Sequence, residues 1–446
     1  MRWSLAPVLL NEKFVEWLNN HSNLLPDALA KAKQVQSYLP WEKERYKAPK
    51  GFSPEVWWSL LLLVRNPQEL NRSLMSVSGE CFTLSFIPEV QRLLHEIDLK
   101  CGVNSITFSN PKLKNASSTL FRNHLQRSLY EEAISSSQME GASTTRAIAR
   151  QMLIEKRPPR DLSEQMIYNN YKTIEKLEQW KDEPLSEALL FKIHRSITEE
   201  TLADEKQGRY RLESDNVVVT NSFDEVIFVP PPASLLPERM KHIIEFANTT
   251  ESENSIFLHP VLKAILLHTL LAYEHPFCDG NGRTARALFS WYLLRAGYWQ
   301  TSYVSLSTEL AKNRKSYDQA YLAMESCHFD VTYNVLVNLR AFNDALQALH
   351  RHLNEKITSG ELVREHLGNI LNARQFELLD HSLRHKDYPY KVAEHANWHH
   401  VSLNTARADL IDLERKGYLK QSYQGKVQVF HSTELFTKQF QNYSAK

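Results

Sequence analysis

His275-Pro276-Phe277-Cys278-Asp279-Gly280-Asn281-Gly282-Arg283-Thr284-Ala285-Arg286 separates two apolar helical patterns. Upstream, Leu262, Ile265, Leu266 and Leu270 recur at helical spacing, and downstream Ala287, Leu288, Trp291, Tyr292 and Leu294 do so again. The segment is therefore a loop between two buried helices, and it opens the second. Glycine is scarce, 12 in 446 residues, yet two flank Asn281. Glycines let successive backbone N–H groups turn inward as an anion-binding nest. The following helix adds its unpaired N-terminal N–H groups and positive dipole end. Arg283 and Arg286 lie three apart on that helix, and guanidinium groups suit several phosphate oxygens at once. Asp279 repels such a ligand unless it holds a cation, and Mg2+ bound through one carboxylate plus substrate phosphates is the usual arrangement. His275 has the intrinsic pKa to accept a proton from an incoming hydroxyl near neutral pH. Singly, a His before Pro, a Gly-Asn-Gly turn and an Arg pair are each ordinarily structural. Together, between two apolar helices, they point to phosphate chemistry.

Composition bounds the rest. Lys plus Arg is 53 and Asp plus Glu 52, a formal net charge of +1. That balance excludes a surface built throughout for nucleic acid and leaves room for a local basic patch. The 42% apolar and 24% charged content excludes global disorder. Gly (12) and Pro (18) are about half their usual share, which favours long helices over a many-turned β architecture. Cys81, Cys101, Cys278 and Cys327 form no CxxC pair, so neither a disulfide framework nor a zinc site is signalled. Pro7, Asn11, Glu12 and Lys13 break any signal-peptide core, and the run Leu60–Val64 is far short of the ~20 apolar residues of a membrane span. The expectation is a cytoplasmic protein with no membrane partner.

Residues 1–110 hold five of the nine tryptophans and read as a helical N-terminal domain, with helices over Asn11–Asn19, Leu25–Tyr38 and Pro54–Arg65. Ser109–Ser118 reads as a linker or long loop. Residues 111–350 are mainly helical, with one exception. Val217-Val218-Val219-Thr220 and Val226-Ile227-Phe228-Val229 are β-branched or aromatic runs around a five-residue loop, and so predict a β-hairpin. Such a hairpin must lean on helices or serve as a flap. Within 366–446, a short helix Val392–Ala396, a turn, a second helix capped by Ser402 and ended by Gly417, and a hairpin around Gln424-Gly425 resemble a winged helix-turn-helix domain. Its 11 Lys/Arg against 8 Asp/Glu leave two partners open, DNA or protein.

The opening segment matches in full the pattern HxFx[DE]GNGRxxR of Fic-domain proteins, and the chain resembles that family over about 115–350. Phe257–Ala264 and the hairpin ending in Phe228-Val229-Pro230-Pro231-Pro232 are similar to it as well. The resemblance implies a mainly α fold: a helical Fic core with a β-hairpin flap, between the helical N-terminal domain and the C-terminal winged helix-turn-helix. It implies a protein adenylyltransferase, which transfers AMP from ATP to a Ser, Thr or Tyr hydroxyl of a target protein, and of itself, releasing pyrophosphate. Carried over by motif position, His275 is the general base and Asp279 binds Mg2+. Gly280, Asn281 and Gly282 hold the α-phosphate, and Arg283 and Arg286 the distal phosphates. Val217, Val218, Val219, Val226, Ile227 and Phe228 form a flap that aligns the target by strand addition. Asn313 and Tyr317 resemble the segment near the adenine.

Ser135-Ser136-Ser137-Gln138-Met139-Glu140-Gly141 is similar to the family's inhibitory motif, [ST]xxxE[GN], with Ser136, Glu140 and Gly141 in its fixed positions. The resemblance implies that Glu140 pairs with Arg286 and blocks productive ATP. In some relatives the same Glu orients water to remove AMP, which makes reverse de-AMPylation a further implied activity. Family members often associate, which implies a homo-oligomer. Two other readings stand beside this one. In the first, a DNA-binding transcriptional regulator acts through 366–446 with a nucleotide-sensing core. In the second, the same scaffold transfers phosphate, phosphocholine or another nucleotide.

Overall fold

A computed structural model describes residues 3–35, 37–101, 126–220, 225–249, 257–367, 370–385, 387–425 and 427–441. The expected linker Ser109–Ser118 and hairpin-loop residues 221–224 lie outside the described residues. The fold is mostly helical and divides into two compact units. Of the described residues, those within 3–101, 128–143 and 161–346 build one, and those within 126–127, 144–160 and 347–441 the other.

In the first unit, α1 (Glu12–His21) starts where the Asn11 side chain accepts the Phe14 N–H. It packs with α2 (Leu25–Lys33) and α3 (Pro54–Arg65) around Phe14, Ala32, Trp57 and Leu60. The expected helix to Tyr38 stops at Lys33, because Tyr38 is drawn into the core, where its hydroxyl donates to Asp330 at 2.7 Å. Trp41 and Trp58 pack with Cys327, so the N-terminal segment shares its core with residues of the middle of the chain. Strands β1 (Gln68–Glu69) and β2 (Thr83–Leu84) pair antiparallel ahead of α4 (Pro88–Cys101). Next come α5 (126–139), then α6 (Arg146–Glu155) of the second unit, then α7 (Leu162–Trp180) and α8 (Glu187–Thr198).

The expected hairpin forms, shorter than its sequence runs. β3 (Val219–Thr220) pairs antiparallel with β4 (Val226–Phe228), with a register shift between Val219 and Thr220. Val217 and Val218 precede the strand, because Asn216 just before them turns through a left-handed conformation. After α9 (Leu236–Asn248), the core is made by α10 (Pro260–Glu274) and α11 (Asn281–Arg295), which pack on each other and, through α11, on α7 and α8. α10 is buried on every face, which explains its unbroken apolar run. Helices α12 (Leu306–Lys312), α13 (Arg314–Ser326) and α14 (Thr332–Leu367) follow.

The second unit contains α15 (Ala373–Arg384), α16 (Val392–His399), α17 (Leu403–Arg415), the antiparallel pair β5 (Leu419–Gln424) and β6 (Val427–Ser432), and α18 (Glu434–Gln441). Its core is Leu378, Leu379, Tyr390, Leu410, Leu413, Phe430 and Phe436. α16 runs three residues past the expected Ala396, and His400 in the left-handed region ends it. α6 packs on α16, burying Ala149, Met152 and Leu153, and its Ile154 carbonyl accepts from the Asn397 side chain at 3.4 Å. Among the described residues, no helix is long and apolar enough to cross a membrane.

Candidate functional site

The loop between α10 and α11 is held by side chains at both ends. His275 caps α10 in the left-handed region (φ 48°), a conformation costly for a residue with a Cβ. Arg211 supports it from outside. Its Nε donates to the His275 carbonyl at 2.8 Å, its Nη2 donates to Pro231 O at 2.5 Å, and its backbone N–H donates to Pro276 O at 2.8 Å. A buried cation thus satisfies orphan carbonyls at the C-terminal end of α10 and ties them to the foot of the hairpin. The His275 imidazole is half-buried. Burial lowers its pKa from 6.5, partly opposed by the nearby Ala272 carbonyl and the Glu140 carboxylate. Nδ1 lies 3.4 Å from Ala272 O, which leaves Nε2 as the acceptor.

Asn281 closes the loop. Its Oδ1 accepts the Phe277 N–H at 2.9 Å and its Nδ2 donates to Phe277 O at 2.8 Å. With both polar atoms engaged and the side chain buried, what Asn281 offers a ligand is its backbone N–H. Gly280 precedes α11 with φ 79°, and a Cβ there would meet the Thr198 methyl at 2.9 Å, so only glycine fits.

The two arginines are placed differently. Arg283 is fully buried, with Nη2 on Asp279 Oδ2 at 3.0 Å and Nη1 on Ile197 O at 3.2 Å. In this conformation it braces the loop and holds Asp279, whose side chain is 53% exposed. Arg286 is buried under α5. Its Nε donates to Ser136 Oγ (2.8 Å) and its Nη2 to Ser136 O (2.9 Å) and Glu140 Oε1 (2.8 Å). The carboxylate and guanidinium stand 146 positions apart in sequence. Burial pushes the Glu140 carboxyl up, but the charge and hydrogen bond of Arg286 outweigh it and hold the pKa below 4.5. Glu140 also covers the nest: a Cβ built on Gly282 would lie 2.1 Å from Glu140 Oε1. One carboxylate therefore stands over both the glycine loop and Arg286. Gly141 follows with φ 96°, and the Ala142 N–H bonds back to Ser137 O at 3.0 Å, closing the helix end.

α5 is fastened at several points. Glu132 accepts from Ser305 Oγ (2.8 Å), the Ser307 N–H (2.9 Å) and Ser307 Oγ, at the N-terminus of α12. Asn170 donates to Ala133 O at 3.3 Å, Ser137 Oγ to Met166 O at 3.2 Å, and Arg314 to Met139 O at 2.7 Å. Tyr317 is buried against His268, whose Nε2 lies 2.9 Å from the tyrosine oxygen; Asn313 is exposed at the junction of α12 and α13. The hairpin attaches through Phe228 on the Tyr273 ring (5.7 Å between centroids) and exposes Val218, Val226 and Ile227. His194, under the loop, stacks on Phe277 with ring centroids 3.8 Å apart. Glu132, His194 and Arg211 are functional supports that sequence reasoning missed. Each has a partner more than 60 positions away, and none stands in a spaced pattern.

Among the described residues, no group of three or more His, Cys, Asp or Glu is placed to hold a metal alone. Asp279, exposed and with Oδ1 turned from Arg283, suits a cation that takes its remaining ligands from a phosphate substrate.

Residues 184–293 match the model of the Fic/DOC family. The chain is 32% identical over 216 residues to the protein adenylyltransferase Fic of Nematostella vectensis, covering 47% of this chain and 46% of that one. It is 46% identical over 69 residues to the protein adenylyltransferase Fic of Drosophila grimshawi, covering 16% of this chain and 13% of that one. The chain thus spans less than half the length of these curated relatives. Among solved structures, a Fic family protein from Desulfovibrio desulfuricans G20 aligns with a TM-score of 0.49 at 18% identity, over 78% of this chain and 97% of that one.

Proposed function

We propose that this chain is a protein adenylyltransferase held off by its own Glu140. The observation that carries the reading is a single arrangement: a half-buried imidazole, a glycine nest at a helix N-terminus and a buried arginine, with a carboxylate lying over the last two. ATP is the substrate and a Ser, Thr or Tyr hydroxyl the acceptor. His275 Nε2 takes the hydroxyl proton while the oxygen attacks the α-phosphorus and pyrophosphate departs. The nest at Gly280–Gly282 and the N-terminus of α11 stabilise charge on the α-phosphate. Arg286, once released, meets the distal phosphates. Asp279 would hold Mg2+, which would offset phosphate charge there. The exposed edges of β3 and β4 align the target segment by main-chain pairing. Because Glu140 and an ATP phosphate compete for Arg286, removing the carboxylate frees the site.

The test is the intact mass of Glu140→Gly after incubation with ATP and Mg2+, beside wild type and Glu140→Gly/His275→Ala. The expected result is an added AMP on Glu140→Gly, on the order of tenfold or more above wild type and absent from the double variant. Equal labelling of wild type and Glu140→Gly overturns the brake; labelling that survives His275→Ala overturns the base. An added phosphate moves the reaction to phosphotransfer.

A second reading concerns the C-terminal unit. The three helices and hairpin over 372–432, with Asn404 and Arg407 on the exposed face of α17, support DNA binding as a separate role. A salt-dependent shift of duplex DNA by the full chain tests it.

A further inference from the structure

We infer that His194 is a positioning residue for the anion nest: by holding the Asp279 carbonyl it aims the Gly280 N–H at the phosphate. The inference rests on reading the loop as the phosphate site. His194 lies on α8, 85 positions before Asp279, and is fully buried. Its two nitrogens are both engaged, and the engagement settles the tautomer. The Gly208 N–H donates to Nδ1 at 3.0 Å, so Nδ1 carries no proton. Nε2 therefore carries it and donates to Asp279 O at 2.9 Å.

The consequence follows from peptide geometry. No peptide bond in the described chain is cis, so the Asp279–Gly280 unit is planar and trans. In a trans peptide the C=O and the following N–H point in opposite directions. Fixing the Asp279 carbonyl on His194 therefore turns the Gly280 N–H away from α8. In the inferred arrangement that direction is into the nest, where the N–H groups at the start of α11 have no intrahelical acceptor. Glycine at 280 brings freedom at φ as well as fit, and something outside the loop must hold this peptide plane. His194 does so from below, its ring stacked on Phe277 at an interplanar angle of 11°. A phosphate bound without this hold meets one donor fewer and a loop free to flip.

Two conservative replacements separate positioning from packing. Asn places an amide atom at the distance of Nδ1 from the backbone, so His194→Asn keeps an acceptor for Gly208 and cannot reach Asp279. Gln carries a donor at the distance of Nε2, so His194→Gln can still reach. Both go into the Glu140→Gly background, where a non-hydrolysable ATP analogue with Mg2+ is titrated and AMP transfer and melting temperature are measured. The expected result is that His194→Asn weakens analogue binding about tenfold and lowers kcat more than it raises KM. His194→Gln stays within about threefold of its parent in both, while the two variants melt within a few degrees of each other. Equal binding by the Asn and Gln variants, or binding by the Asn variant as tight as the parent's, overturns the inference. If the parent binds the analogue without transferring AMP, the transfer reading fails and the Asn–Gln contrast in binding still decides His194. If the parent does not bind it at all, the phosphate site and this inference fall together.

Discussion

His275 shows how one residue combines conformational cost with chemical use. Its left-handed backbone ends α10 and turns its imidazole toward the loop, and Arg211 holds that turn. A base works only when neutral. Burial sets the His275 pKa below 6.5, so transfer by Glu140→Gly should rise with pH through a midpoint under that value. The Glu140 carboxylate favours the protonated ring, so removing it moves the midpoint further down. Rates measured from about pH 5 to 8 would count against this role for His275 if the acid limb centred above 6.5. Gly280 is equally constrained. Gly280→Ala adds a left-handed penalty of about 1–2 kcal/mol and a contact with Thr198 that α8 must yield to. Loss of AMP transfer with a lowered melting temperature is the expected outcome, read by intact mass and thermal denaturation.

The element of consequence is α5. It places Glu140 on Arg286, yet most of its own fastening lies elsewhere along it, at Glu132, Ala133, Ser137 and Met139. Glu132 is buried and accepts three hydrogen bonds from Ser305 and Ser307. Glu132→Ala should cost the docking of α5 about 1.5–3 kcal/mol, the usual worth of charge-assisted hydrogen bonds. A shift of about 2 kcal/mol changes a two-state population roughly 30-fold. Glu132→Ala with Glu140 intact should therefore raise AMP transfer above wild type and stay below Glu140→Gly. Transfer at the wild-type level would show that the helix is held without this contact.

At the scale of the molecule, the segment just after the inhibitory motif joins the second unit. The chain leaves the first unit after Ser143, forms α6 against α16, and returns at Asp161. The Ser143 N–H donates to Ser163 Oγ at 3.0 Å, closing the excursion at its base. The C-terminal unit is consequently not a detachable module. Deleting 366–446 should expose Ala149, Met152 and Leu153, at a cost of about 1.5–3 kcal/mol for each large side chain. A lower melting temperature and binding of a hydrophobic dye are the expected readings; a truncated chain that melts with the full one would show that α6 finds cover elsewhere.

How much of this was legible beforehand differs by distance along the chain. The loop 275–286, the two helices around it and the presence of a hairpin follow from local signals: apolar spacing, paired glycines and β-branched runs. Such signals are short-range, because caps, turns and periodicity involve neighbours within about four positions. Ser135–Gly141 is legible only as a resemblance to a family motif, and its pairing with Arg286, at 2.8 Å in the structure, is a contact across 146 positions that no local signal encodes. Tertiary structure alone decided the rest. It turned Arg283 onto Asp279, spent the Asn281 side chain on Phe277, and gave α6 to the second unit. It also brought Glu132, His194 and Arg211 to their partners. Sequence by itself determined the chemical groups of the 275–286 loop, since these are neighbours along the chain. Only packing could determine which way those groups face, because each orientation is set by a buried partner that the sequence leaves far away.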